Sequence, residues 1–114
     1  MTIEAITEQA FEQVADATLQ ALDRALGDLD GLEASLQMGI LTLEFADGVK
    51  YIINSHRAAR QIWMAAERNA WHFDHRAGDG SGARWIASKS GDELWATVEA
   101  VTSRKVGRAV QLAR

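Results

Sequence analysis

The chain has no cysteine. That absence excludes thiolate nucleophiles, thiolate metal sites and structural disulfides together, and it fits a reducing compartment. No apolar run approaches the roughly 18 residues of a membrane-spanning helix, so no membrane partner is expected. The first residues, MTIEAITEQAFEQV, carry acids where a signal or transit peptide carries bases. A mature, soluble, cytoplasmic protein is the expectation. Several catalytic signatures are missing too. No HExxH-like spacing occurs, and GDGSG at 78–82 lacks a following Lys-Ser/Thr and opens no helix. The sheet signature of RNA-recognition domains is absent as well.

Charge of one sign is scarce in the first part of the chain. Residues 1–49 hold ten acids and a single base, Arg24, whereas residues 50–114 hold eleven bases and six acids. Such a split suggests two differently charged surfaces, one drawn to cations and one to an acidic protein surface. The acidic part opposes a polyanion, so no nucleic-acid partner is expected. A single-stranded RNA-binding module is the weakest of the functional readings.

With 114 residues the chain forms one domain over 1–114, long enough to bury a real core. Phe11, Val14, Ala15, Thr18, Leu22, Ala25, Leu26 and Leu29 recur at helical spacing and predict an amphipathic helix over 6–29. Asp28-Leu-Asp-Gly31 breaks it. Leu32, Ala34 and Leu36, then Leu41, Leu43 and Phe45, alternate with polar residues as half-buried strands do. Asp47-Gly48 is a hairpin signal before a strand over 49–54. Segments 60–66 and 70–76 read as further strands, followed by a glycine-rich loop at 77–82 and a short strand around Trp85. Ser90 is positioned to cap a second helix over 91–104, with Leu94, Val98 and Val101 inward. The apolar tail at 110–112 is expected to fold back on the helices. Helix, run of strands, helix is an α+β order, with both helices on one face of a single antiparallel sheet.

The other face of that sheet is then open, and strand parity says what stands on it. If Ile62 and Met64 point into the core, Trp63 points out. Asn54, Gln61, Trp63, His72 and Asp74 are expected to face solvent as a partner surface, with Trp63 largely exposed and Trp71 and Phe73 buried. Arg57, Arg60, Arg68, Arg76 and Arg84 are expected at or near it. Aromatic and arginine side chains are typical anchors of protein interfaces. Of the histidines His56, His72 and His75, the last takes the inward parity. No third ligand position accompanies them, so no histidine-based active site and no catalytic residue is expected.

The carboxylates form the other candidate site. Glu8, Glu12 and Asp16 lie four apart along one side of the first helix. Asp23, Asp28 and Asp30 follow, and Glu33, Glu44 and Asp47 fall on the neighbouring strands or their ends. Clustered exposed carboxylates are hard oxygen ligands that suit divalent cations at modest affinity.

Residues 40–76 closely resemble the sheet of the frataxin family, in which a strand ending in Asn is followed by a short connection and Gln-x-Trp; here these are Asn54, Gln61 and Trp63. The resemblance runs from Phe11 to Leu112 and implies the two-layer αβ sandwich of that family. It implies iron (Fe²⁺/Fe³⁺) bound weakly along an acidic ridge of the first helix and first strands. It further implies docking on the cysteine desulfurase and the iron–sulfur scaffold protein, with this protein acting as regulator and iron donor. The expected state is a monomer that can oligomerise with iron. Ferroxidase or iron-storage activity is the alternative within the family. Asp23-Arg24 and Gly27-Asp28 stand where relatives often carry paired acids, which shortens the ridge and leaves Asp23, Asp28, Asp30 and Glu33 to match it. Ala58 replaces a frequent proline, and Asn69-Ala70 replaces a common Gly-Gly turn.

Overall fold

The computed structural model describes residues 6–76 and 84–112; the expected loop at 77–82 lies outside the described residues. The elements are α1 (Glu8–Gly27), β1 (Leu32–Gln37), β2 (Ile40–Phe45), β3 (Lys50–His56), β4 (Gln61–Ala66), β5 (Asn69–Arg76), β6 (Arg84–Ala87) and α2 (Leu94–Val106). The strands form one antiparallel sheet in chain order, each paired with the next. Both helices pack on one face of it, which confirms the expected α+β sandwich.

Thr7 starts α1. Its backbone is extended and its Oγ1 accepts from the Ala10 N–H at 3.1 Å, so the helix begins two residues later than expected. The buried stripe is Phe11, Ala15, Leu19, Leu22 and Leu26. Leu19 belongs to it although the expected set omitted it, while Val14, Ala25 and Leu29 flank it half-buried. Beneath the helices lie Leu41, Leu43, Phe45, Tyr51, Ile53, Ile62, Met64, Phe73 and Trp85, all buried. Trp71 departs from expectation. It is only half-buried, because its indole N–H sits at the rim and reaches the Asp92 carboxylate at 3.3 Å.

The second helix begins at Leu94, and Glu93 caps it rather than Ser90. The two Glu93 carboxylate oxygens accept from the Trp95 and Ala96 N–H groups at 2.9 and 3.1 Å, which draws the extended Glu93 backbone out of the helix. Ser90 instead donates its hydroxyl to Asp92 at 2.8 Å. Gly107, at φ 76°, closes the helix. The tail folds back as expected. Val110 is buried and its N–H donates to Ser103 Oγ at 2.8 Å, while the Leu112 N–H donates to Glu99 at 3.0 Å.

The β4–β5 turn lies between the two expected strands, but not at the Asn69-Ala70 position that the family resemblance implied. Ile62 opposite Phe73 and Met64 opposite Trp71 fix the register, and Ala66 then pairs with Asn69. Asn69 and Ala70 are therefore strand residues, and the turn falls on Glu67 and Arg68, at φ 56° and 63°.

Candidate functional site

Sheet register brings the expected outward residues together. Ile40, Asn54, Trp63 and His72 stand opposite one another across β2 to β5, and His56, Gln61 and Asp74 form the adjoining row across β3 to β5. The Trp63 indole N–H donates to Gln61 Oε1 at 2.8 Å, and Gln61 Nε2 donates to Asp74 Oδ1 at 2.9 Å. Asn54 donates to the Ser55 carbonyl at 3.3 Å. Four of the five expected surface residues thus form one cross-strand patch around Trp63, with Asn54 beside it.

Trp63 is outward but not largely exposed. His56 stacks on one side of its indole, with ring centroids 3.9 Å apart and planes 12° from parallel, and His72 stacks at 4.3 Å and 17°. Trp63 is half-buried as a result. Directly opposite and diagonal neighbours on a sheet face lie within reach of aromatic rings, so the open face covers part of the Trp63 indole itself. His56 shares the parity of Asn54, two residues earlier in β3, and that spacing was the signal for its place in the stack. His75 points inward as expected, half-buried and edge-on to Trp85 at 5.2 Å. Burial pushes its pKa down, favouring the neutral ring.

Arg57 and Arg60 do not join this surface. Arg57 binds Glu8 at 3.0 Å and Glu12 at 2.6 Å, and Arg60 reaches Glu8 at 3.7 Å. The Glu12 hydrogen bond holds the Arg57 guanidinium charged even more firmly than usual. Arg76 and Arg84 are exposed and pair across β5 and β6; Arg68 is exposed in the β4–β5 turn.

The same contacts divide the carboxylates. Glu8 and Glu12 face arginines, and Asp16 accepts from Gln20 at 3.5 Å. Asp47 is bonded by Lys105, which lowers its carboxyl pKa together with the Val49 N–H. Asp23 is half-buried, and Asp28 is the C-cap of α1. Asp30, Glu33 and Glu44 line one open cleft where the α1–β1 connection meets β2. Glu33 lies directly opposite Glu44, and Glu44 opposite Lys50. Like charges opposed across strands repel, and Lys50 opposite Glu44 offsets part of that repulsion. Among the described residues no group of three or more histidine or carboxylate side chains is placed to hold a metal ion. Carboxylates are hard oxygen donors, the ligand type that divalent cations such as Mg²⁺ and Ca²⁺ prefer.

No described helix is long and apolar enough to cross a membrane. A model of the frataxin-like domain family matches residues 4–108. Among solved structures, a frataxin from Psychromonas ingrahamii, used as a model for stability modulation within the CyaY protein family, superposes with a TM-score of 0.84 at 26% identity. The match covers 96% of this chain and 100% of that one.

Proposed function

The chain belongs to the frataxin family, in its CyaY-type branch, and from that premise we propose that it regulates iron–sulfur cluster assembly by docking on the cysteine desulfurase and its scaffold protein while holding iron weakly. We read it as a binder rather than a catalyst, with iron as cargo. The observation that carries the reading is the linked set Trp63–Gln61–Asp74 with His56 and His72 on the helix-free sheet face. Hydrogen bonds and stacking hold an aromatic side chain in one orientation on an open surface, the arrangement expected of a pre-organised interface anchor.

Iron falls to the acids that form no ion pair with an arginine or lysine among the described residues. Asp30, Glu33 and Glu44 share a cleft, and Asp23 and Asp28 lie on the adjoining end of α1. Glu8, Glu12 and Asp47 are weaker candidates, because iron has to displace Arg57, Arg60 or Lys105 from them. Anaerobic titration with Fe²⁺, followed by NMR, tests this division. Line broadening is expected to centre on Asp30, Glu33 and Glu44, reach Asp23 and Asp28, and leave Glu8 and Glu12 last. Broadening confined to the histidines contradicts the ridge assignment.

A further inference from the structure

Only the second half of β5 has a strand on its outer side. Phe73–Arg76 pair with β6, and no described strand lies beside Asn69–His72. Past Ala87 one backbone bond remains between the two segments, from the Ser88 N–H to the His72 carbonyl at 3.0 Å. That bond shows which way the backbone faces. Alternate residues of a strand point their N–H and carbonyl groups to the same side. Those of Ala70, two residues before His72, are therefore directed outward. The chain treats its neighbouring edge differently. The Ala87 N–H donates to the Asp92 carbonyl at 2.7 Å and Ile86 bridges Glu93, so the outer side of β6 is covered. The edge at Ala70 stays open, and an open edge is a template for another strand.

The opening is a cleft of about 320 Å³ lined by Ala70, Trp71, His72, Ser88, Lys89 and Ser90, within the size range of sites for small ligands. Its walls differ in chemistry. Trp71 is half-buried and its indole N–H is already given to Asp92 at 3.3 Å, so the ring offers apolar surface. Lys89 is exposed, and none of the ion pairs among the described residues includes it. It belongs to the basic second part of the chain, the part expected to be drawn to negative charge. The cleft also has a closed end. Ser88 already holds the place beside His72, so a strand laid along Ala70 cannot run straight on past it. A chain that ends there fits without turning. Its end carries a charge, and Lys89 favours a carboxylate over an ammonium.

We propose that this cleft binds the C-terminal end of an extended peptide, adding it as a short strand to the open edge of β5. The Ala70 N–H and carbonyl pair with the peptide backbone, Lys89 takes the terminal carboxylate, and the Trp71 ring packs an apolar side chain. The proposal goes beyond the docking of Trp63 and does not depend on it, although His72 borders both places.

The probe is the acetylated peptide Thr-Val-Thr-Val with a free carboxylate, compared with the same peptide as its C-terminal amide. Isotope-labelled protein is titrated with each and followed by NMR. The amides of Ala70, Trp71, Ser88 and Lys89 and the Trp71 indole N–H should shift together and saturate. A Kd of roughly 0.1–1 mM is expected from a few backbone bonds and one open ion pair. The amide form should bind about threefold more weakly. Lys89→Ala, with its fold checked by its amide spectrum, should abolish that difference and still bind the amide form. Hydrogen exchange at the Ala70 amide should slow at saturating peptide, which only backbone pairing brings about.

Shifts that fail to saturate by about 10 mM, tenfold above the weakest expected Kd, overturn the proposal. So does equal affinity of the wild type for the two forms, or Ala70 exchange that stays fast in the presence of peptide. Acetate alone reproducing the same shifts marks a simple anion site and removes the strand. Shifts of the same residues that grow with protein concentration, without peptide, show a second copy on this edge and equally contradict the assignment.

Discussion

The carboxylate of Glu67 and the guanidinium of Arg104 meet in a two-pronged ion pair, Nε to Oε2 at 2.8 Å and Nη2 to Oε1 at 2.7 Å. It ties the β4–β5 turn to the last turn of α2. Glu67 sits at φ 56°, a left-handed conformation that suits glycine better than glutamate. The pair fixes a strained turn in place and positions the C-terminal end of α2 over the sheet.

Arg104 holds the Glu67 carboxyl below its ordinary value of 4.5. A carboxyl depressed in the folded state contributes stability above that value and loses it as pH falls through the folded one. Denaturant melts of the wild type and Glu67→Gln should therefore converge as the pH drops below about 4.5 and diverge above it. Parallel curves at every pH would show that the pair contributes nothing.

The two sheet faces should respond differently to truncation. Phe45 is buried under the helices and edge-on to Tyr51 at 4.8 Å. Phe45→Ala should lower stability by about 3–5 kcal/mol. Trp63→Ala loses two ring contacts and one hydrogen bond on a half-open surface, and should lower it by no more than about 2 kcal/mol. Equal losses in thermal denaturation would contradict the assignment of Trp63 to the outer face.

His75 supplies a stability signal near neutrality. Burial against Trp85 depresses its pKa below the ordinary 6.5, so the unfolded chain takes up the proton first. The neutral ring's packing is fully effective above that value, and stability declines as pH falls toward the folded pKa. Replacing His75 with Gln should flatten the decline between about pH 7.5 and 5.5, whatever its effect on absolute stability. An unchanged slope would mean that another group carries it.

Much of this architecture was legible from periodicity. Strand parity alone separated Ile62 and Met64 from Trp63, and Asp47-Gly48 marked its hairpin, because alternation and turn chemistry are local properties. What escaped depended on partners distant in sequence. Glu93 displaced Ser90 as a cap because its own carboxylate reaches two backbone N–H groups. The β4–β5 turn falls on Glu67 and Arg68, between the strands expected at 60–66 and 70–76, because the pairing of Ile62 with Phe73 sets the register and draws Asn69, at the place of the family's usual Gly-Gly turn, into β5. The candidate sites followed the same rule. Register placed Asn54, Gln61, Trp63, His72 and Asp74 side by side as parity implied. Nothing local, however, showed that Arg57 would cross to Glu8 and Glu12, 45 positions away from the latter. Helix spacing counted those acids as ridge, and only the folded chain shows that they also face Arg57.

The central claim is that the Trp63 patch docks on the cysteine desulfurase. Its most direct test is the affinity of the purified desulfurase for the wild type and for Trp63→Ala, measured at low and high salt with folding of the variant verified by its melt. Loss of an interface anchor should weaken binding at least about tenfold at both salt concentrations and act mainly through faster dissociation. An affinity unchanged by Trp63→Ala, in a variant that melts as a folded domain, would contradict the account.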